Sequence, residues 1–268
     1  MHVTIDLVST VETFLIGLLT GILSGAFGVG GGIFCTPVIR LVLNVSPHVA
    51  VGTTMALIIP TAIVGAVNYI KQKQIDLRLA KLLAPSAVLG TVLGAVGTHY
   101  VQPVILMILF SIFASVAGLD LALGIGESLT RKKRESNAAD YEVAPVVPTH
   151  VAIGIGFWAG FLAGFFGVGG GFILVPCLLY TFNISVKAAF GTSLLVIAAV
   201  SIPGTLTHAS QGHMDFHLAL SMVAGAVPGA WLGSLLSLRL KDSFLRRGFG
   251  VVMLLMAVML ALKELNII

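Results

Sequence analysis

Two stretches of the chain combine residue types that can hold an anion without a charged side chain. The first is Phe27-Gly28-Val29-Gly30-Gly31-Gly32, followed by Pro37. The second is Phe166-Gly167-Val168-Gly169-Gly170-Gly171, followed by Pro176 in the same relative place. Glycine leaves the backbone bare, and proline withdraws a donor further on. Amides freed at a helix start, with the helix dipole behind them, attract negative charge. A second pair of stretches supplies hydroxyls: Gly52-Thr53-Thr54 and Gly191-Thr192-Ser193. These can donate to substrate oxygens, or they can cap and back-bond their own helix. The candidate binding residues are Gly28, Gly30, Gly31, Gly32, Thr53 and Thr54 in one copy. In the other they are Gly167, Gly169, Gly170, Gly171, Thr192 and Ser193. The competing reading of the glycines is close helix packing through small residues. A nucleotide-binding loop is excluded, because no strand precedes the glycines and no acidic residue follows at the usual distance.

The remaining polar residues offer less. Asp76 and Asp215 each precede a helix start and read as N-caps. Asn44 and Asn183 end short apolar runs and read as helix stops. Arg40 lies inside an apolar run, where it can draw an anion or extend to the interface; the interface is the favoured reading. Asp120 and His208 sit late in their runs and read as interfacial or locally satisfied groups. No Ser/His/Asp, Cys/His or HExxH arrangement is present, so the residues make no case for an enzyme, a metal or a cofactor. Cys35 and Cys177 do not occupy matching positions and read as reduced packing residues.

The elements that must position these residues are apolar. Of 268 residues, 57% are hydrophobic and 10% charged, against about a quarter charged in a soluble domain. The mean hydropathy is +1.05. Successive runs long enough to cross a bilayer make this an all-α polytopic membrane protein. In hydrocarbon, an open backbone is tolerated only where protein buries it or a wet cavity meets it, so two openings suggest a site built from broken helices. The pI near 9.2 reflects loop lysines and arginines and not a nucleic-acid partner. The start of the chain carries Asp6 and Glu12 with no basic cluster, so no cleaved signal peptide is expected.

The chain is a duplication. A displacement of 139 positions carries Gly28 to Gly167, Pro37 to Pro176, Asn44 to Asn183, Gly52-Thr53 to Gly191-Thr192, Gln72 to Gln211, Asp76 to Asp215, Gly90 to Gly229 and Gly94 to Gly233 without a gap. Each repeat, residues 1–126 and 150–268, offers five hydrophobic segments. They are 11–27, 33–43, 49–70, 79–98 and 104–126 in the first. In the second they are 151–166, 172–182, 188–209, 218–238 and 249–262. The second of each set is short and reads equally as a half-helix, a re-entrant arm or a tilted span. Residues 127–149, with Arg131-Lys132-Lys133-Arg134, read as a tether joining the repeats.

Basic residues set the orientation. Lys71, Lys73, Arg78 and Lys81 flank one loop of the first repeat, and the matching residues 210–220 have no lysine or arginine. Arg239, Lys241, Arg246 and Arg247 flank a loop of the second, and the matching residues 99–108 have none. Equivalent loops therefore prefer opposite sides, the signature of inverted-topology repeats. The tether is expected in the cytoplasm and both termini outside.

These features together resemble the TauE/SafE family of sulfite exporter-like permeases. The resemblance rests on the duplicated Phe-Gly-Val-Gly-Gly-Gly with its proline, the Gly-Thr-Thr and Gly-Thr-Ser stretches, and the pairs Gly90/Gly94 and Gly229/Gly233. It spans nearly the whole chain. It implies export, or sometimes uptake, of sulfur-containing anions such as sulfite or an organosulfonate across the plasma membrane. The expectation is a transporter working by alternating access, with a small anion and the lipid bilayer as its partners. A permease for another small anion or organic acid, an anion channel, and a membrane module serving a partner protein are the rival readings. The sequence leaves the substrate, direction, coupling ion and oligomeric state open.

Overall fold

The computed structural model describes residues 7–124 and 148–265, all helical apart from short connections. Most of the tether, residues 125–147, and both chain ends lie outside the described residues, so the expectations placed on them find no counterpart here. The elements are α1 (Leu7–Phe27), α2 (Gly32–Val42), α3 (Pro47–Lys71), α4 (Leu77–Thr98), α5 (Pro103–Leu123), α6 (Thr149–Phe166), α7 (Gly171–Tyr180), α8 (Val186–Ser210), α9 (Phe216–Arg239) and α10 (Asp242–Glu264). Seven of them, α3 to α6 and α8 to α10, are long and apolar enough to cross a membrane. Large apolar side chains face outward along them, among them Leu89, Leu93, Trp158, Leu206 and Leu220, as a lipid-facing surface requires.

The helix boundaries have local causes. Asp76 Oδ1 accepts from Leu79 N at 3.0 Å and Asp215 Oδ1 from Leu218 N at 2.9 Å, so both aspartates are the expected N-caps of α4 and α9. Proline opens α3 and α5 at the first helical turn. Asn44 and Asn183 follow α2 and α7 in the left-handed region, each with φ 53°, and stop those helices as expected. α10 begins earlier than its apolar run because Asp242, Arg246 and Arg247 occupy its first turns. α2 has 11 residues and α7 has 10, each about half the thickness of the hydrocarbon core.

Helices of one repeat pack chiefly on helices of the other. α1 lies on α9, α4 on α6, α5 on α10, and α3 on α8. Gly17, Gly21 and Gly25 of α1 meet Met222, Ala226 and Ala230 of α9 in order, so that pair runs parallel. The pairs Gly90/Gly94 and Gly229/Gly233 are such contacts: a methyl group on Gly94 would run into the Phe161 carbonyl, and one on Gly233 into that of Ile22. Between these layers sits an aromatic core. Phe27 stacks on Phe249 with centroids 5.5 Å apart, and Phe166 meets Phe110 at 5.7 Å.

Candidate functional site

Both glycine stretches are buried in the middle of this packing. α1 ends at Phe27 and α2 begins at Gly32. Gly31, the N-cap of α2, has φ 86°, and Gly170, the N-cap of α7, has φ 75°. Neither helix start receives a hydrogen bond from a capping side chain. Within the first turns, Phe34 N and Cys35 N bond back to the Gly31 carbonyl, and Ile173 N and Leu174 N to that of Gly170.

The structure brings the two breaks together. Gly32 lies against the backbone of Val168, and Gly171 against Val29. Gly28 lies against Phe190, and Gly167 against Val51. Gly30 and Gly169 both face Ile58 and Ile197, which stand between the breaks. Gly28, Gly32, Gly167 and Gly171 therefore satisfy the packing reading, since backbone occupies the space of a side chain. Gly31 differs: its nearest neighbours are Ser24, whose Oγ lies 3.3 Å from where a Cβ would stand, and the Thr20 carbonyl.

The hydroxyl pairs divide. Thr53 Oγ1 accepts from Asp215 N at 3.0 Å, and Thr192 Oγ1 accepts from Asp76 N at 2.9 Å. These two threonines bind the start of one repeat's helix to the loop of the other. Because Asp76 follows α3 and Asp215 follows α8, the same two bonds show that α3 and α8 run antiparallel. Ser193 Oγ donates to the carbonyls of Gly28 and, at 2.9 Å, Phe190. Thr54 Oγ1, the position matching Ser193, is buried and has no nitrogen or oxygen partner, with only the Cys35 thiol beside it.

Around Thr54 the first repeat holds polar groups that sequence reasoning did not single out. Cys35 lies beside Thr54 and Thr20. Ser24 Oγ and Thr36 Oγ1 are buried without partners. The matching residues of the second repeat are Ala159, Ala163, Leu174 and Val175 for Thr20, Ser24, Cys35 and Thr36. A comparison of the repeats for polar residues with apolar mates would have found them.

A second cluster was also missed. His48, His99, His208 and His213 gather from α3, α4, α8 and the loop before α9. His213 stacks on His48 at 4.7 Å and on His99 at 5.6 Å, with His208 6.0 Å away. Burial, and then the neighbouring His48 and His99 rings, pushes His213 below the ordinary imidazole value. His208 Nε2 lies 2.9 Å from the Gly164 carbonyl, matching the bond from Tyr69 OH to the Gly25 carbonyl at 3.3 Å, while its buried Nδ1 has no hydrogen-bond partner. Among the described residues no group of His, Cys, Asp and Glu can hold a metal ion.

Arg40 neither faces the breaks nor simply extends to the interface. It pairs with Glu264 at the end of α10, with Nε 2.6 Å from Oε1, and its Nη1 donates to the Val45 carbonyl. Its charge is spent within the fold.

The family model for sulfite exporter TauE/SafE matches residues 13–260. A probable membrane transporter protein of Bacillus subtilis, YunE, is 30% identical over 84% of this chain and 86% of its own length. A probable membrane transporter protein of Xylella fastidiosa strain Temecula1 is 27% identical over 93% of this chain and 94% of its own. Another from Bacillus subtilis, YjnA, is 29% identical over 86% of this chain and 91% of its own. No solved structure matches. With two buried glycine breaks packed against each other in an apolar helical bundle, and a match that runs almost from end to end, the chain belongs to the sulfite exporter TauE/SafE family of membrane transporters.

Proposed function

We propose that the protein carries a small sulfur-containing anion, such as sulfite or an organosulfonate, outward across the plasma membrane by alternating access between two inverted repeats. One observation carries this reading: α2 and α7 start on glycine, uncapped, beside one another at the centre of the molecule. Such starts are suited to an anion. Inverted-repeat transporters place broken helices of this kind at the midplane. The antiparallel course of α3 and α8, and the opposed loop charges, support the inverted arrangement. The family's printed description supports a sulfur oxyanion as cargo.

In this reading the anion is held where α2 and α7 begin, by the amides of Gly30–Gly32 and Gly169–Gly171. Thr54 adds a hydroxyl, and Thr53 and Thr192 act as latches between repeats. Purified protein in proteoliposomes, loaded in turn with sulfite, methanesulfonate and acetate, tests it. With a pH gradient or membrane potential imposed to drive it, efflux of sulfite or methanesulfonate against its own concentration gradient is the expected result. Flux that only follows the gradient would make it a channel. Preference for acetate would move the substrate to organic acids.

A further inference from the structure

The two glycine breaks are equivalent in backbone but not in side chains. In the first repeat Ser24, Cys35, Thr36 and Thr54 are fully buried; the hydroxyls of Ser24 and Thr36 have no hydrogen-bond partner, and that of Thr54 meets only the weakly bonding Cys35 thiol. Ser24 faces Gly31, the N-cap of α2. The Cys35 amide bonds back to the Gly31 carbonyl at 2.8 Å, and the Cys35 side chain lies beside Thr54 and Thr20. In the second repeat alanine, leucine and valine stand at the positions of Ser24, Cys35 and Thr36, and Ser193 at that of Thr54 is committed to the Gly28 carbonyl. Buried donors without partners are costly in a protein interior, so a group of them at an uncapped helix start calls for an occupant.

We propose that the anion site is one-sided: the start of α2, with Ser24 and Thr54 as hydroxyl donors, binds a monoanionic oxyanion of the sulfonate type. This rests on the transport reading above and narrows it. Every group in the cluster is neutral, and Arg40, the basic residue of α2, is tied to Glu264. The cost of desolvating an ion grows with the square of its charge, so a site without a counter-cation selects one negative charge over two. The Ser24 and Thr54 hydroxyls and the first amides of α2 are the donors offered to the three oxygens of a sulfonate.

The test uses the full chain purified in detergent, with methanesulfonate as the monoanionic probe and sulfate as the dianionic one. The expected result is binding of methanesulfonate at least about tenfold tighter than sulfate. Ser24→Ala, which installs the second repeat's own residue, and Thr54→Val should each weaken methanesulfonate binding by about tenfold, as loss of a bond to a charged group does. Their melting temperatures should hold or rise, because Ser24→Ala removes a buried hydroxyl without a partner and Thr54→Val one that meets only a thiol. A structural role would give the reverse: lower melting temperature and unchanged affinity. Ser111→Ala, which removes a buried hydroxyl bonded within α5, should change affinity in neither case. Unchanged affinity in both cluster variants overturns the one-sided site while leaving transport standing if the wild type still moves methanesulfonate. Equal binding of sulfate overturns the charge selection. A wild type that neither binds nor moves either anion overturns both readings.

Discussion

The backbone amide of Asp215 donates to Thr53 Oγ1 at 3.0 Å, from the mouth of α9 in one repeat to the second turn of α3 in the other. Asp76 and Thr192 repeat the bond at 2.9 Å with the repeats exchanged. Each aspartate thus does two things: its carboxylate caps its own helix, and its amide fastens that cap to the opposite repeat. The position of each loop is set by a hydroxyl on a helix 162 or 116 residues away.

Removing either hydroxyl leaves a partly buried amide without an acceptor. Thr53→Val and Thr192→Val should each cost about 1–3 kcal/mol of stability. Thr→Ser at either position should restore most of it. Thermal melts of the purified variants check this, and the two losses should add because the bonds share no residue.

Gly30 has φ 73°, and a methyl group there would press on Ile58 and Ile197. Gly30→Ala should destabilise by about 2 kcal/mol or more, combining backbone strain with overpacking. In an Ile197→Ala background the same change should cost less, since one of the two obstructing side chains is gone. A double-mutant cycle on melting temperature measures the difference.

His213 lies in the loop between α8 and α9, beside His48, His99 and His208. Its folded pKa is depressed below 6.5, so the unfolded chain binds the proton first. The stability it supports is therefore present above that value and lost as pH falls through it. The melting temperature should drop between about pH 7.5 and about pH 5, and His213→Gln should flatten that profile. A profile unchanged by the substitution would assign the drop to other groups.

The opposed loop charges predict that Lys73 faces the cytoplasm while residues 211–217 face outside. Single cysteines at Lys73 and Gln211, in a functional background lacking Cys35 and Cys177, should label from opposite sides of the membrane. Labelling of both from one side would remove the inverted arrangement.

Much of this was readable in the sequence because hydrocarbon imposes strong local rules. Glycine clusters, prolines and caps recur at one displacement, and apolar runs mark the spans. The short helices, expected from 33 and 172, begin one residue earlier at Gly32 and Gly171, and the capping by Asp76 and Asp215 followed from residue type alone. What the sequence hid lies in contacts between repeats. Thr53 and Thr192 read as possible substrate donors because nothing local reveals that an aspartate amide from the other repeat reaches them. Arg40 read as interfacial because Glu264 is 224 residues away. Four histidines meet only after α3, α4 and α8 are docked. Ser24 and Thr36 passed unnoticed because the search followed what the repeats share, and these are residues where they differ.

The exchange of partners between α1 and α9, and between α4 and α6, gives the molecule the character of a homodimer written into one chain. Gly28 on Phe190 answers Val51 on Gly167, and Gly32 on Val168 answers Val29 on Gly171, as residues do across an isologous interface. Neither repeat has a finished surface of its own: the glycine faces of α1 and α4 wait for α9 and α6, which are synthesised later. The linked chain then gains a freedom that two identical subunits lack. A subunit pair must change both copies of a residue at once, whereas here Ser24 can stay polar while Ala163 turns apolar, and a symmetric scaffold can carry a site with a direction.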